Sequence, residues 1–127
     1  MGRPGVGRAG GTMSLRRGDV VRVDWPYSDR TGSKVRPAVV VQDDLYNQRI
    51  ADTVLVFISR TLRAPGATEV EIDPALEPAS GLRYRSVASC TNVLTIDQRL
   101  VVQLIGHLSA ATMQGVNDSL KAALGLP

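Results

Sequence analysis

The polar side chains between residues 16 and 42 are the part of the sequence best suited to chemistry. The segment reads RRGDVVRVDWPYSDRTGSKVRPAVVVQ and places a basic, turn-rich loop between two apolar runs. The loop ends in Arg36, and the proline that follows restricts the preceding residue to extended backbone geometry. A guanidinium held in this way suits a phosphate group, because it is planar, permanently charged and able to donate two parallel hydrogen bonds. An ion pair of Arg36 with Asp24, Asp29 or Asp43 explains its position equally well.

Composition excludes several other kinds of catalytic site. The chain has one histidine, His107, and one cysteine, Cys90, too few for a zinc site or for a ribonuclease that uses two histidines as base and acid. The P-loop, the GxSxG elbow and a GxGxxG after a strand are all missing from the sequence. We therefore predict no metal and no cofactor. Cys90 lies in an apolar-alternating stretch, which favours a buried structural thiol, and His107 is interpreted as a surface or capping residue.

Length and charge describe one small domain with a mildly basic surface. A chain of 127 residues can build a single hydrophobic core, and with aromatics at only 4% that core must be aliphatic. The 15 Lys and Arg against 12 Asp and Glu allow a polyanionic partner, although a generally solvated basic surface explains them as well. The single cysteine indicates a reducing cytoplasm, and no apolar run is long enough for a membrane span.

The first 14 residues differ in composition from the rest. They read MGRPGVGRAGGTMS, rich in glycine and poor in large apolar residues, and such a segment cannot bury enough surface to offset its ordering entropy. We predict a disordered basic tail over 1–14 and one folded domain over 15–127. Met13 is an alternative to Met1 as the natural first residue of the protein.

Apolar patterning predicts a mostly β structure. Pro26 to Lys34 is expected to be a loop, and Pro37 is expected to open the strand after it, where its missing N–H need not pair. Thr68–Ile72 alternates polar and apolar residues, which indicates a half-exposed edge strand, and 73–82 carries at most a short helical turn. The predicted strands are Val20–Trp25, Ala38–Gln42, Thr53–Ser59, Thr68–Ile72, Ser86–Ile96 and Val101–Ile105.

The only helix that the pattern predicts lies at the C-terminal end. Ser109 is a suitable N-cap and Gly125 is placed to end the helix. Apolar residues recur at helical spacing and give one face to pack on the sheet: Met113, Val116, Leu120 and Leu124. The predicted fold is a mainly β, antiparallel, barrel-like sheet with a C-terminal helix.

The order of these segments resembles a known family. RGDVVRVDWP, the turn-rich loop and KVRPAVVVQ are similar to the opening of the MazF/PemK/Kid toxin ribonucleases of type II toxin–antitoxin systems. VLVFISRT, TEVEI, RSVASCTNVLTID and LSAATMQGVNDSLKAALGL follow in the family's order. The loop, which reads D-x-x-G-S-K before Arg-Pro, resembles a PemK-like subgroup.

The resemblance implies a function as well as a fold. It implies an SH3-like (CcdB/PemK-type) barrel that forms a homodimer, binds a cognate antitoxin and cuts single-stranded RNA such as mRNA. The expected cleavage is sequence-specific and metal-independent, and proceeds through a 2′,3′-cyclic phosphate with a 5′-hydroxyl product. The family's catalytic pair falls on Arg36 and Ser59. Without the resemblance, Ser59 is interpreted as an ordinary hydroxyl at the end of a strand. Thr61 lies two residues later, on the same side of an extended chain, and is the alternative candidate for the catalytic hydroxyl.

Substrate contacts are expected around the same loop. Trp25 and Tyr27 could stack on unpaired bases, although Trp25 is interpreted equally well as a core residue. Many family members carry a glutamate in this loop, which this chain lacks. Asp29 is a candidate to replace it, but its side chain is shorter, so the general base stays unassigned. The remaining candidates are Ser33, Lys34 and Arg60 for phosphate, and Ser86 and Asn92 for base edges.

Three other functions remain open from the sequence. Proteins of this fold include a gyrase poison that acts by binding a protein, so the fold does not determine the function. A non-catalytic, SH3-like nucleic-acid-binding module and an inactive toxin remnant also fit the pattern. For the homodimer, the C-terminal helix face and the strand near Val101 are the candidate interfaces.

Overall fold

A computed structural model describes residues 14–60 and 64–127 of the chain. The predicted tail, apart from Ser14, and the candidate hydroxyl of Thr61 lie outside these residues. The strands are β1 (Asp19–Pro26), β2 (Ser33–Val40), β3 (Asp52–Arg60), β4 (Glu69–Ile72), β5 (Ser86–Asp97) and β6 (Gln103–His107). The helices are α1 (Asp44–Arg49) and α2 (Ala110–Leu124), and 3₁₀ turns occupy Pro78–Ser80 and Gln98–Leu100.

The six strands form one antiparallel sheet in the order β4-β5-β3-β2-β1-β6. The prediction of a mainly β, antiparallel fold with a C-terminal helix is confirmed, and β4 is an edge strand as expected. β6 begins two residues later than predicted, because Val101 caps the 3₁₀ turn Gln98–Leu100 and donates its N–H to the carbonyl of Gln98.

A close backbone approach brings the two ends of this curled sheet together. The 3₁₀ turn Pro78–Ser80, which follows β4 in the chain, lies against β6 at the opposite edge. A Cβ atom added at Gly106 would lie 2.3 Å from the carbonyl oxygen of Ala79, and one at Gly81 would lie 2.0 Å from that of Ile105. Only glycine allows the two segments to lie this close, so this contact joins the segment after β4 to the β6 edge of the curled sheet.

Both faces of the sheet bury apolar side chains. Val39, Val56 and Ile58 pack on one face with Val116 of α2, while Ala38 and other residues form a second cluster on the other face. Ala38, Val39 and Val40 are all fully buried, so this part of β2 is covered on both faces. The members of the second cluster are Leu15, Val21, Val23, Ala38, Val40, Leu55 and Val101.

The ends of α2 are those that the sequence predicts. The Ser109 side chain accepts a hydrogen bond from the backbone N–H of Thr112, and Gly125 ends the helix with a left-handed φ of 69°. Met113 and Val116 are buried, but Leu124 is 60% exposed, so its assignment to the packed face was wrong. The packed face continues through Leu120 to Ala123, both of which pack against the core.

Pro37 lies inside β2 and does not open it, since the strand already begins at Ser33. The predicted loop is correspondingly shorter. Pro37 is paired with Arg22, whose carbonyl accepts a hydrogen bond from Val102 on the far side of β1. The Arg22–Pro37 pair therefore exchanges no backbone hydrogen bonds between β1 and β2. The proline nitrogen is directed instead toward β3, and β2 pairs with β3 only from Ala38 onward. This explains how a proline is accommodated within the strand.

The short helix α1 was not predicted from the sequence. Its six residues have no apolar stripe, and its one buried residue is the polar Asn47. The Asn47 amide donates to the carbonyl of Gln42, and its oxygen accepts from the hydroxyl of Thr53 on β3. Tertiary hydrogen bonds, which leave no periodic signal in the sequence, hold this helix in place.

Candidate active site

An open cavity of about 250 Å³ lies where the β1–β2 loop meets β3 and β5. Four of the sequence-predicted site residues that the structure describes come together here: Trp25, Tyr27, Arg36 and Asn92. Three further residues, none of which was predicted as a site residue, complete its lining: Pro26, Ser28 and Phe57.

Aromatic rings form one wall of this pocket. The ring centroids of Trp25 and Phe57 are 5.0 Å apart at an interplanar angle of 44°. Trp25 is half-buried and also packs against the second core cluster, so it is at once a core residue and a lining residue. Tyr27 is 46% exposed at the entrance. Flat, partly exposed rings of this kind offer a stacking surface for an unpaired base.

Arg36 supplies the positive charge of the pocket. It lies on β2 opposite Val23 and is half-buried. Within the part of the chain that the structure describes, its guanidinium forms no ion pair and no hydrogen bond, so the alternative of a pairing with Asp24, Asp29 or Asp43 is wrong. A guanidinium without a carboxylate partner retains its full capacity to bind an anion.

The Asp29 carboxylate is engaged within its own loop. It accepts hydrogen bonds from the backbone N–H of Thr31 at 3.0 Å and from the Thr31 hydroxyl at 2.7 Å. The backbone hydrogen bond, with the hydroxyl second, lowers the pKa of Asp29 below its ordinary value. Arg30, the next residue, has a left-handed φ of 61°. The structure thus gives Asp29 a role in shaping the turn.

Ser59 lies on the same face of the sheet as Arg36, at the end of β3. The β2–β3 ladder ends at the pair Ala38–Phe57, and the next pair on this face would join Arg36 to Ser59. The two side chains therefore lie where the strands begin to separate. Phe57 lines the pocket and Ser59, which is half-buried, continues the same strand face beyond it.

A bulge in β5 brings Asn92 to the pocket. Val56 of β3 pairs with Val93, but the next residue, Phe57, pairs with Ser89, so residues 90–92 have no partner on β3. This excursion places Asn92 beside Phe57, and the Asn92 amide donates a 2.8 Å hydrogen bond to the hydroxyl of Ser89. Bulges commonly redirect a side chain in this way, and nothing in the local sequence pattern indicated this one.

Arg60 and Ser86 lie on the opposite face from Arg36. They are paired across β3 and β5, on the face that α2 covers. The guanidinium carbon of Arg60 lies 3.9 Å from the ring centroid of Tyr84. Ser86 is buried, and its hydroxyl donates to the backbone carbonyl of Tyr84. The structure therefore does not bring these two residues together with the pocket.

Ser33 and Lys34 lie at the start of β2, beside the pocket loop. They pair with Pro26 and Trp25 across β1, and both side chains are exposed. Lys34 is two residues before Arg36 and so shares its strand face. Its ammonium group extends the positive charge of the pocket toward solvent.

The Arg-Gly-Asp segment before β1 holds the scaffold together. Arg17 donates from Nε to the carbonyl of Val41 and from Nη2 to the side-chain oxygen of Asn117 on α2. Asp19 is fully buried; one carboxylate oxygen accepts from the N–H of Arg16, and the other lies 2.9 Å from Nδ1 of His107. His107 is half-exposed and its ring fixes the β1–β6 edge, so this segment serves the fold more directly than the pocket.

Three further properties belong to the described residues: a buried thiol, no metal-binding group and no membrane-spanning helix. The Cys90 thiol is fully buried, as predicted, and burial raises its pKa to about 11. Across 14–60 and 64–127, no three His, Cys, Asp or Glu side chains form a group that could hold a metal ion. Neither helix in these ranges is long and apolar enough to cross a membrane.

The fold and the pocket define a small antiparallel β-barrel protein with a site suited to a nucleotide, because aromatic rings lie next to an arginine available for phosphate. A family profile of PemK-like, MazF-like toxins of type II toxin–antitoxin systems matches residues 16–124. The chain therefore belongs to this family, as an endoribonuclease toxin of the MazF type. The resemblance identified from the sequence is confirmed.

Individual relatives match the sequence of this chain over nearly its whole length. Endoribonuclease EndoA of Bacillus subtilis is 31% identical over 118 residues, which cover 90% of this chain and 97% of the relative. Endoribonuclease MazF1 of Mycobacterium bovis is 30% identical over 111 residues, 87% of this chain and 93% of the relative. The solved structure of an endoribonuclease in complex with its cognate antitoxin, from a mycobacterial species, superposes with a TM-score of 0.73 at 29% identity, covering 90% of this chain and 98% of that one.

Proposed function

We propose that this toxin cuts single-stranded RNA, such as mRNA, at specific short sequences without a metal ion, with Arg36 and Ser59 as its catalytic pair. The observation that carries the proposal is the Arg36 guanidinium, which lies in an aromatic-lined pocket and has no acidic partner among the described residues. A charged donor available beside a stacking surface is what binding of a phosphodiester next to an unpaired base requires.

The chemistry follows from what these two side chains can do. The 2′-hydroxyl oxygen attacks the adjacent phosphorus, and the bond from phosphorus to the 5′-oxygen breaks. The products are a 2′,3′-cyclic phosphate and a 5′-hydroxyl. Arg36 stabilises the charge that develops on the nonbridging oxygens, and the Ser59 hydroxyl donates a hydrogen bond to one of them.

Proton transfer in this reaction falls to water. The guanidinium of an arginine only donates hydrogen bonds and does not act as a base. The Asp29 carboxylate already accepts two hydrogen bonds from Thr31, and these lower its pKa and make it a weaker base. A water molecule at the phosphate then takes the 2′-hydroxyl proton, and water returns a proton to the leaving 5′-oxygen.

Binding of the strand uses residues around the pocket. Bases stack on Trp25 and Tyr27, and Asn92 contacts a base edge. Ser33 and Lys34 lie beside the pocket loop and bind the neighbouring phosphates. Arg60 lies on the other face of β3 and binds a phosphate further along the RNA. The hydroxyl of Ser86 has a structural role, because it donates to the backbone carbonyl of Tyr84 before β5.

The partners of the toxin follow from its charge and its relatives. We expect a homodimer and a cognate antitoxin whose acidic segment covers the positive pocket and blocks it. A mycobacterial endoribonuclease similar to this chain is known in complex with its cognate antitoxin. Because the proposed substrate is mRNA, the expected location is the cytoplasm.

Cleavage of defined RNA in the presence of EDTA tests the proposal. We expect the purified protein to cut single-stranded RNA but not the matching DNA, which has no 2′-hydroxyl, and to leave 5′-hydroxyl ends. Intact RNA across a library of sequences would refute the enzymatic function and favour a binding module or an inactive toxin.

The identity of the catalytic hydroxyl needs a separate comparison. Ser59→Ala is expected to lower kcat by roughly tenfold or more, as loss of a transition-state hydrogen bond does, while Ser59→Thr retains most of it. Thr61→Val is the matched control two residues away. Loss of cutting in Thr61→Val but not in Ser59→Ala would assign the hydroxyl to Thr61.

A further inference from the structure

A stacked arginine–tyrosine pair lies at the end of β3, outside the pocket. The guanidinium carbon of Arg60 lies 3.9 Å from the centroid of the Tyr84 ring. Arg60 is exposed and Tyr84 is 53% exposed, so much of the ring is open to solvent. The fold uses the backbone of Tyr84, whose carbonyl accepts a hydrogen bond from Ser86. Its hydroxyl has no hydrogen-bond partner within the described ranges, so the side chain is accessible to a ligand.

Arginine side chains surround this ring. Arg83 and Arg85 flank Tyr84 in the chain, and both are exposed. Arg85 donates from Nε to the carboxylate of Glu71 on β4 at 2.6 Å. Arg60 and Arg83 have no carboxylate partner in 14–60 or 64–127, so their guanidinium groups are available to an anion.

We propose that Tyr84 is a second base-stacking site for single-stranded RNA, outside the pocket, and that Arg60 binds a phosphate beside it. An aromatic face next to a positive charge binds single strands with little sequence preference, because every base has a face that stacks and every nucleotide carries a phosphate. The guanidinium stacks on the ring through its plane, which leaves the N–H groups at its rim free to donate to phosphate oxygens. The inference rests on the proposed function, since it assumes that the pocket holds one part of an RNA strand.

The same strand can reach both places by a short path. Phe57 lines the pocket, and Arg60 is three residues further along β3, which is about 10 Å in an extended chain. Consecutive side chains of a strand point to opposite faces, so the RNA has to pass over the end of β3 between the pocket and Tyr84. That end is open on the β2 side, because the β2–β3 ladder stops at the pair Ala38–Phe57. A ligand as short as a dinucleotide therefore occupies the pocket alone.

Binding of RNA that cannot be cut tests the inference. Fully 2′-O-methylated RNA has no free 2′-hydroxyl, and a length of about ten nucleotides is within the range that one small β-barrel binds. Fluorescence anisotropy gives its dissociation constant. Tyr84→Ala should raise this constant about tenfold, as the loss of one base stack predicts. The dissociation constant of a dinucleotide should not change, and the NMR signal of Trp25, the only tryptophan of the chain, measures it in the pocket.

Conservative and control variants separate stacking from a structural role. Tyr84→Phe keeps the ring and should bind as the unaltered protein does, whereas Tyr84→Leu is apolar without a flat face and should bind as Tyr84→Ala does. Tyr46→Ala is the matched control, because Tyr46 is 52% exposed on α1, which lies against the start of β3. Equal binding by Tyr84→Ala and Tyr46→Ala, full binding by Tyr84→Leu, or no binding of the longer RNA by the unaltered protein overturns the inference.

Salt dependence tests the phosphate contact separately. Arg60→Gln should reduce the slope of log Kd against log salt concentration by about 0.7, the value for one phosphate contact on a single strand. Tyr84→Ala should weaken binding without changing this slope. Arg99→Gln, which removes a positive charge at the other end of β5, should leave the slope unchanged. An unchanged slope in Arg60→Gln overturns the assignment of a phosphate to Arg60.

The RNA cleavage assay distinguishes failure of this inference from failure of the proposed function. A protein that binds the longer RNA through Tyr84 but leaves all RNA intact retains the inference and loses the nuclease. A protein that cuts RNA while Tyr84→Ala binds the longer RNA normally retains the nuclease and loses the inference.

Discussion

Replacement of Arg36 by alanine should separate catalysis from stability more cleanly than any other single change in this pocket. A carboxylate that loses its arginine partner is usually left with a desolvation cost. Arg36 has no such partner among the described residues, so the variant leaves no unpaired charge. The free energy of unfolding should therefore change by about 0.5 kcal/mol or less, the range of substitutions that disturb no buried feature.

The expected loss of activity is much larger. Removal of a single charged or polar donor from a developing oxyanion typically lowers kcat by about 10²–10³, which corresponds to about 2.7–4 kcal/mol of transition-state stabilisation. Arg36→Lys keeps the charge but loses the planar pair of donors, so its activity should lie between those of the alanine variant and the unaltered protein. RNA binding, to which the proposed stacking on Trp25 would also contribute, should weaken only modestly.

Two measurements check this prediction: kcat/KM on a fluorogenic RNA oligonucleotide and urea unfolding of the same preparations. Arg99→Ala is the matched control, because it also removes one positive charge, from an exposed ion pair with Asp97 at the other end of β5. Its activity should equal that of the unaltered protein. Full activity in Arg36→Ala, or a loss of stability large enough to account for inactivity, would refute the reasoning.

Two further predictions concern the scaffold. Gly106→Ala should lower the free energy of unfolding by about 1–3 kcal/mol, as overpacked sites do, because its Cβ would lie 2.3 Å from the carbonyl oxygen of Ala79. Urea unfolding measures this, with Gly66→Ala, whose Cβ would meet nothing closer than 3.7 Å, as the control; equal stability of both variants would contradict the close packing. The Cys90 thiol, with its pKa raised to about 11, should resist iodoacetamide at pH 8 in the folded protein and react in urea. Fast labelling without urea would show that the thiol is not buried.

Local patterns in the sequence predicted most of the elements. Alternating and β-branched runs identify strands, since side chains on a strand point to opposite faces with a period of two. Ser109 and Gly125 mark the ends of α2 because capping depends on residues a few positions apart. The apolar setting of Cys90 likewise predicted its burial. Each of these inferences uses short-range information that the chain carries along its length.

The candidate site could be predicted only in part. The Arg36-Pro37 junction and the aromatic residues next to the loop were recognisable by type, and the structure does bring Trp25, Tyr27 and Arg36 to one pocket. Proximity in sequence was misleading elsewhere. Arg60 directly follows Ser59 yet points to the other face of β3, and α1 gave no signal because polar tertiary contacts hold it.

Local sequence therefore predicted the components of the protein: a β-rich chain with one long C-terminal helix, a basic loop and an arginine held before a proline. Which of these residues meet depends on the packing of distant segments. The end of the β2–β3 ladder and the bulge that delivers Asn92 depend on pairing between distant strands, and a shift of one residue in that pairing reverses the face of every side chain. For the same reason only the folded chain shows that Arg36 lies in the pocket without an acidic partner among the described residues.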